Sequence, residues 1–93
     1  MNKVDLKSMP WYPPEYELAD ISAIKGVAAG TATEEQQKRA MKWIIENCCA
    51  TYEMSYRPTS DRDTAFAEGR RFVGSQIVKL IKLDMSIFKR DKQ

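Results

Sequence analysis

The sequence predicts an all-α fold: a small three-helix domain with an extended N-terminal arm and a basic C-terminal tail. Apolar residues recur at spacings of three and four along three separate segments, and helix-start or helix-stop residues lie beside these segments. An alternating aromatic stretch between the second and third segments has no second strand to pair with. At 93 residues the chain has room for one modest core, so self-association or a larger partner is expected to complete it.

The N-terminal arm, residues 1–14, is predicted to be extended rather than helical. It carries three prolines around an aromatic pair: Pro10, Trp11, Tyr12, Pro13 and Pro14. Proline fixes φ and biases the preceding residue toward extended geometry. Because large aromatic side chains are common at protein interfaces, we expect Trp11 and Tyr12 to dock onto the domain or onto a partner. A disordered tail is the alternative.

The first helix is predicted over 15–29 and the second over 34–49. Gly30 suits the left-handed conformation that ends many helices. The second helix begins at a capping box, in which the Thr33 hydroxyl accepts a hydrogen bond from the Gln36 amide and the Gln36 side chain reaches back. Its apolar stripe consists of Ala40, Met41, Ile44, Ile45 and Cys48.

The third helix, predicted over 62–83, has the strongest helical pattern in the chain. Its apolar stripe consists of Phe66, Gly69, Val73, Ile77 and Leu80. On a helical wheel Gly69 lies inside this stripe, where a close helix crossing could use it, and Gly74 lies at the edge. The residues predicted to support the structure are Phe66, Gly69, Arg70, Val73 and Gly74.

The two adjacent arginines of the third helix receive different predicted roles. Arg70 points near the apolar stripe, whereas Arg71 is rotated about 100° further round the helix. We therefore expect Arg70 to support the fold, paired with a carboxylate of the second helix such as Glu46. Arg71 is expected to face a partner.

Charge is unevenly distributed along the chain. The part up to Glu68 has 8 basic and 11 acidic residues, a net charge of −3, whereas the part from Gly69 onward has 7 basic and 2 acidic residues, a net charge of +5. This basic part, with its tail at 84–93, could contact phosphates or an acidic protein surface. A solvated helix face with a frayed end is the alternative. The predicted partner-binding residues are Trp11, Tyr12, Arg71, Lys79, Lys82, Lys89 and Arg90.

Several functional classes are disfavoured by composition. The chain has no histidine, so a histidine-based triad and a histidine-ligated metal site are excluded. Cys48 and Cys49 are neighbours, which makes a disulfide between them strained and predicts free thiols in a reducing compartment. The sequence has no nucleophile and general base at a spacing typical of a catalytic site, and it has no phosphate-binding loop. We expect no enzyme activity, no cofactor and no metal, and the absence of a long apolar run predicts no membrane partner.

The segment Thr64–Gly74, with the sequence TAFAEGRRFVG, resembles the signature of a family of short tailed-bacteriophage proteins encoded among head-morphogenesis genes. The Trp43–Cys48 segment and the aromatic loop with Tyr52 and Tyr56 also resemble that family's middle section. The resemblance covers about residues 34–83. The sequence departs from the family pattern in two places: Phe72 stands where a polar residue is expected and Cys49 stands where glycine is usual.

The resemblance implies a phage protein that works in the host cytoplasm and could be retained in the virion. The expected function is a non-enzymatic structural or assembly role, in which the chain docks onto larger head or portal-vertex proteins or onto copies of itself. The residues leave two alternatives open. The basic third helix and tail could bind DNA in packaging or regulation, or the chain could inhibit a host protein by occlusion.

Overall fold

A computed structural model describes residues 6–90 of the chain, and its side chains as far as Phe88. The described residues form helices and loops without strands, so the predicted all-α class is confirmed. The elements are a 3₁₀ helix at Leu6–Ser8, α1 at Leu18–Ala29, α2 at Glu34–Lys42, a π-helix at Trp43–Cys48 that continues α2, α3 at Asp61–Lys82 and α4 at Ser86–Arg90.

The α1 and α2 helices form a hairpin whose ends are closed by local hydrogen bonds. Gly30 adopts φ 74° after the last residue of α1, as its predicted stop position requires. The capping box of α2 is confirmed, because the Gln36 amide donates to Thr33 Oγ1 at 3.2 Å and the Thr33 amide donates to Gln36 Oε1 at 3.0 Å. The first helix begins later than predicted, since Glu17 is extended and serves as the N-cap.

One arginine joins the two helices of this hairpin. Arg39 of α2 donates from Nε to Asp20 Oδ1 and from Nη2 to Glu17 Oε1, both at 2.8 Å. The other Asp20 oxygen accepts the Glu17 amide at 2.8 Å, and this backbone hydrogen bond, with Arg39, holds the pKa of Asp20 below its usual value. The start of α1 is thereby fixed to the middle of α2.

The predicted second helix divides into α2 and the π-helix, which ends in a tight turn. The Cys49 amide donates to the Ile44 carbonyl at 2.9 Å, the wider hydrogen-bond spacing of a π-helix. Ala50 then adopts φ 48°, which brings Thr51 back so that its hydroxyl donates to the Ile45 carbonyl at 2.7 Å. This turn places the buried Thr51 and Cys49 side chains against α3.

The crossing of α3 over this turn lies at Gly74. A Cβ at Gly74 would stand 2.9 Å from Cys49 Cβ and would overlap Thr51, so only glycine allows the approach. The prediction that Gly69 makes the close crossing is wrong, because a Cβ at Gly69 would have no atom within 4 Å. The buried positions of α3 are Ala67 and Gly74, one residue along from the predicted Phe66 and Val73.

The described part of the arm, residues 6–14, packs against the same region and is partly helical, and residues 1–5 of the predicted extended arm lie outside the described residues. It contains the 3₁₀ helix and a turn, because the hydrogen-bonded turns at Met9 and Tyr12 replace the fully extended geometry that the prolines predicted. Pro10 is fully buried. Its carbonyl accepts a hydrogen bond from Arg70 Nη1 at 2.6 Å, which ties the arm to α3.

Candidate interaction surface

The most prominent feature of α3 is a line of apolar side chains that faces away from the rest of the chain. Phe66, Val73 and Leu80 are spaced seven residues apart and therefore lie on one side of the helix. They are 49%, 52% and 68% exposed. We call these three residues the α3 seam. Phe66 and Val73 were predicted to be structural, but the close crossing at Gly74 rotates them out of the core.

Further large apolar side chains extend the exposed surface beyond the seam. Phe72 and Ile81 are exposed on α3, and the loop before α3 exposes Tyr52, Met54 and Tyr56. Three more exposed residues belong to α4 and the turn before it: Met85, Ile87 and Phe88. Exposure of this many large apolar side chains on a small chain is typical of a protein that binds a partner.

The dimensions of the chain explain why so much apolar surface is exposed. The Cα radius of gyration is 17.0 Å, against about 12 Å for a compact domain of this length. The surface area is 7779 Å², about 2,300 Å² more than a compact monomer of this mass exposes. The described core is correspondingly small and consists of Ala23, Ala40, Ile45, Cys49 and Ala67. The long α3 therefore packs on the hairpin over only part of its length.

The adjacent Arg70 and Arg71 of α3 have different environments. Arg70 donates to three backbone carbonyls: Pro10 at 2.6 Å, Asn47 at 3.0 Å and Cys48 at 3.0 Å. The predicted pairing with Glu46 is wrong, because the carbonyl groups at the end of the π-helix lie within reach of the guanidinium and satisfy it.

Arg71 lies on the outer side of Arg70 and forms an ion pair with Glu68 at 2.9 Å. The hydrogen bond from Arg71, together with one from Ser55, lowers the pKa of Glu68. Within the described part of the chain, Lys79 and Lys82 make neither an ion pair nor a side-chain hydrogen bond. Two basic groups at the end of α3 are thus available to a partner.

The remaining predicted partner-binding residues lie toward the two ends of the chain. Trp11 is 48% exposed and Tyr12 is partly buried, so the pair lies at the edge of the packed arm. The side chains of Lys89 and Arg90 lie outside the described residues. The buried anchor of the arm is Pro10, which sequence reasoning missed; the only available signal was its place at the start of the proline cluster.

The hairpin carries an open groove of about 920 Å³ between α1 and α2. Its charged groups include Glu17, Asp20 and Arg39, which are bonded to one another. Across residues 6–90, no group of three or more acidic or cysteine side chains is placed to hold a metal ion. Cys48 and Cys49 are free thiols, and burial raises the pKa of Cys49.

No helix among the described residues is both long enough and apolar enough to span a membrane. In comparisons with known proteins, no protein-family model matches the chain, and no curated protein or solved structure is significantly similar to it.

Proposed function

We propose that this chain is a non-enzymatic structural or assembly protein that docks onto larger head or portal-vertex proteins of a tailed bacteriophage. The phage setting, with assembly in the host cytoplasm and retention in the virion, rests on the resemblance of the Thr64–Gly74 segment. The docking role rests on the shape and surface of the chain.

The observation that carries the docking role is the large exposed apolar surface of a chain with a small core. Transfer of apolar area out of water contributes about 25 cal/mol per Å², so a surface of this kind gives a strong drive to associate. Interfaces are enriched in aromatic residues and methionine, and those residue types supply much of the exposed apolar surface here, beside leucine, isoleucine and valine. Burial of this surface on a larger protein would complete the core that the chain lacks.

Protein docking is favoured over DNA binding by the environment of the basic residues. A phosphate-binding helix needs several unpaired cations along one side. Of the three arginines on α3, Arg70 is bonded to carbonyl groups and Arg71 to Glu68. Arg62, Lys79 and Lys82 remain, but Arg62 lies between Asp61 and Asp63 at the start of α3, roughly 25 Å along the helix from the lysines. These cations do not form the row along one side that DNA binding needs.

The proposal is tested by asking whether the chain is part of the particle. Purified heads, procapsids and virions from infected cells are analysed by quantitative mass spectrometry, and we expect a fixed number of copies per particle. Absence of the chain from particles and from assembly intermediates would contradict the proposal. Steeply salt-dependent binding of the purified protein to DNA, without recovery in particles, would favour the DNA-binding alternative.

A pair of variants identifies the docking surface. The double substitution Ile87→Ser and Phe88→Ser removes two exposed apolar side chains of α4, and we expect at least a tenfold loss of recovery in particles. The matched control is Val27→Ser with Met41→Ser, because these apolar side chains of the hairpin have similar exposure. The control is expected to be recovered at the wild-type level.

A further inference from the structure

We infer that the α3 seam is an interface with a second copy of this chain, formed by two antiparallel α3 helices around a two-fold axis at Val73. The inference rests on the proposed function for its biological role, because it names one partner of a docking protein. Its geometry depends only on α3.

The spacing of the seam makes it complementary to itself. Phe66 lies seven residues before Val73 and Leu80 lies seven residues after it. In an antiparallel pair centred at Val73, Phe66 of each copy therefore meets Leu80 of the other, and the two Val73 side chains meet at the axis. A two-fold interface requires this kind of self-complementary patch. The seven-residue spacing also suits the packing of two long helices at a shallow angle.

The charges of α3 select the antiparallel direction. The helix begins with Asp61 and Asp63 in its first turn and ends with Lys79 and Lys82 in its last turns. An antiparallel pair places the acidic start of each helix beside the basic end of the other, and it also opposes the two helix dipoles. A parallel pair would place lysines beside lysines.

The available area is large enough for a stable dimer. Standard interfaces bury about 800 Å² on each partner. The chain exposes about 2,300 Å² more than a compact monomer of its mass, and α3 supplies a helix about 33 Å long. The excess is larger than the share of a standard interface that one copy buries, and the exposed apolar residues of α4 are separate from the three seam residues.

The first test measures the mass of the full-length protein by size-exclusion chromatography with light scattering. We expect twice the chain mass for the wild type and the monomer mass for Val73→Glu, because this substitution places two carboxylates at the axis. The control is Val27→Glu on α1, a valine of nearly equal exposure, which is expected to stay dimeric. Circular dichroism checks that each variant is folded. A monomeric wild type, or a dimeric and folded Val73→Glu, would overturn the inference.

The second test determines direction and register by disulfide crosslinking and introduces no charge into the seam. In a background with Cys48→Ser and Cys49→Ala, we expect Val73→Cys to crosslink to itself under mild oxidation. An equimolar mixture of Phe66→Cys and Leu80→Cys should give a mixed dimer, while each alone gives little. Efficient crosslinking of Phe66→Cys to itself would indicate a parallel pair and overturn the antiparallel arrangement.

The two proposals fail in different ways. If the isolated protein is a monomer but is recovered in particles, the seam is covered by a foreign protein, and the docking role stands while this inference fails. If the protein is an antiparallel dimer but is absent from particles, the interface stands and the phage assembly role fails.

Discussion

The α1–α2 hairpin and α3 are stabilised in opposite ways. The hairpin is closed by short-range bonds at its ends and by Arg39, which joins its helices through Asp20 and Glu17. The 22-residue α3 depends on one crossing at Gly74 and on the carbonyl contacts of Arg70, and its seam remains exposed. The difference indicates that the hairpin is closed by bonds within itself, whereas one side of α3 has no packing partner among the described residues.

The largest expected effect on stability comes from a substitution at Gly74, where α3 crosses the turn after the π-helix. Gly74→Ala introduces a methyl group that overlaps Thr51, and we expect a loss of about 2 kcal/mol in the free energy of unfolding. The matched control is Gly69→Ala, which faces open space and should instead stabilise α3 by up to about 1 kcal/mol. Urea denaturation followed by circular dichroism measures both. Equal effects of the two substitutions would show that α3 does not pack at Gly74.

Removal of the Arg70 guanidinium tests the second attachment of α3. Arg70→Ala leaves the Pro10, Asn47 and Cys48 carbonyls without their charged donor, and we expect a loss of about 1.5 to 2 kcal/mol in stability. Arg71→Ala breaks only an exposed ion pair with Glu68 and should change stability much less. Thermal unfolding of the two variants gives the comparison. A reversed order, with Arg71→Ala unfolding the chain, would contradict the assignment of roles.

Acidification is expected to destabilise the hairpin by protonating Asp20, and a change of pH near neutrality should have little effect on this contribution. The Glu17 amide, together with Arg39, lowers the pKa of Asp20 in the folded chain, so its stabilising contribution is fully present above the ordinary carboxyl pKa, about 3.9. This contribution is lost as the pH falls through the lowered folded-state value. We expect Asp20→Asn to flatten the acid limb of stability measured by urea denaturation between about pH 5 and pH 2. An unchanged pH profile would show that the Asp20 contacts contribute nothing to folding.

The local features of the hairpin and of α3 could be predicted from the sequence. The Thr33 capping box and the stop at Gly30 involve residues within a few positions of each other, so their hydrogen bonds can be inferred from the order of side chains alone. The strong periodicity of α3 also fixed its extent to within one residue at each end. The short α4 was not predicted, because five residues carry too little periodicity to be distinguished from a tail.

The candidate surface could be predicted only in part. Sequence periodicity placed Phe66, Val73 and Leu80 on one side of α3, but it assigned that side to the core. In the structure a different side of α3 is buried, because Thr51 in the turn after the π-helix leaves room only for a residue without a side chain. Gly74 meets that requirement, and the rotation that brings it inward turns the apolar line outward.

By itself, the sequence determined the helical class, the positions of the main helices and the separation of charge, because these depend on neighbouring residues and on helical period. Tertiary structure decided which side of α3 is buried, which carbonyls Arg70 satisfies and how Pro10 anchors the arm. Those outcomes depend on how residues far apart in the chain fit together. A pattern of apolar residues predicts that one side of a helix is buried, but the shape of the surface that packs against the helix determines which side it is.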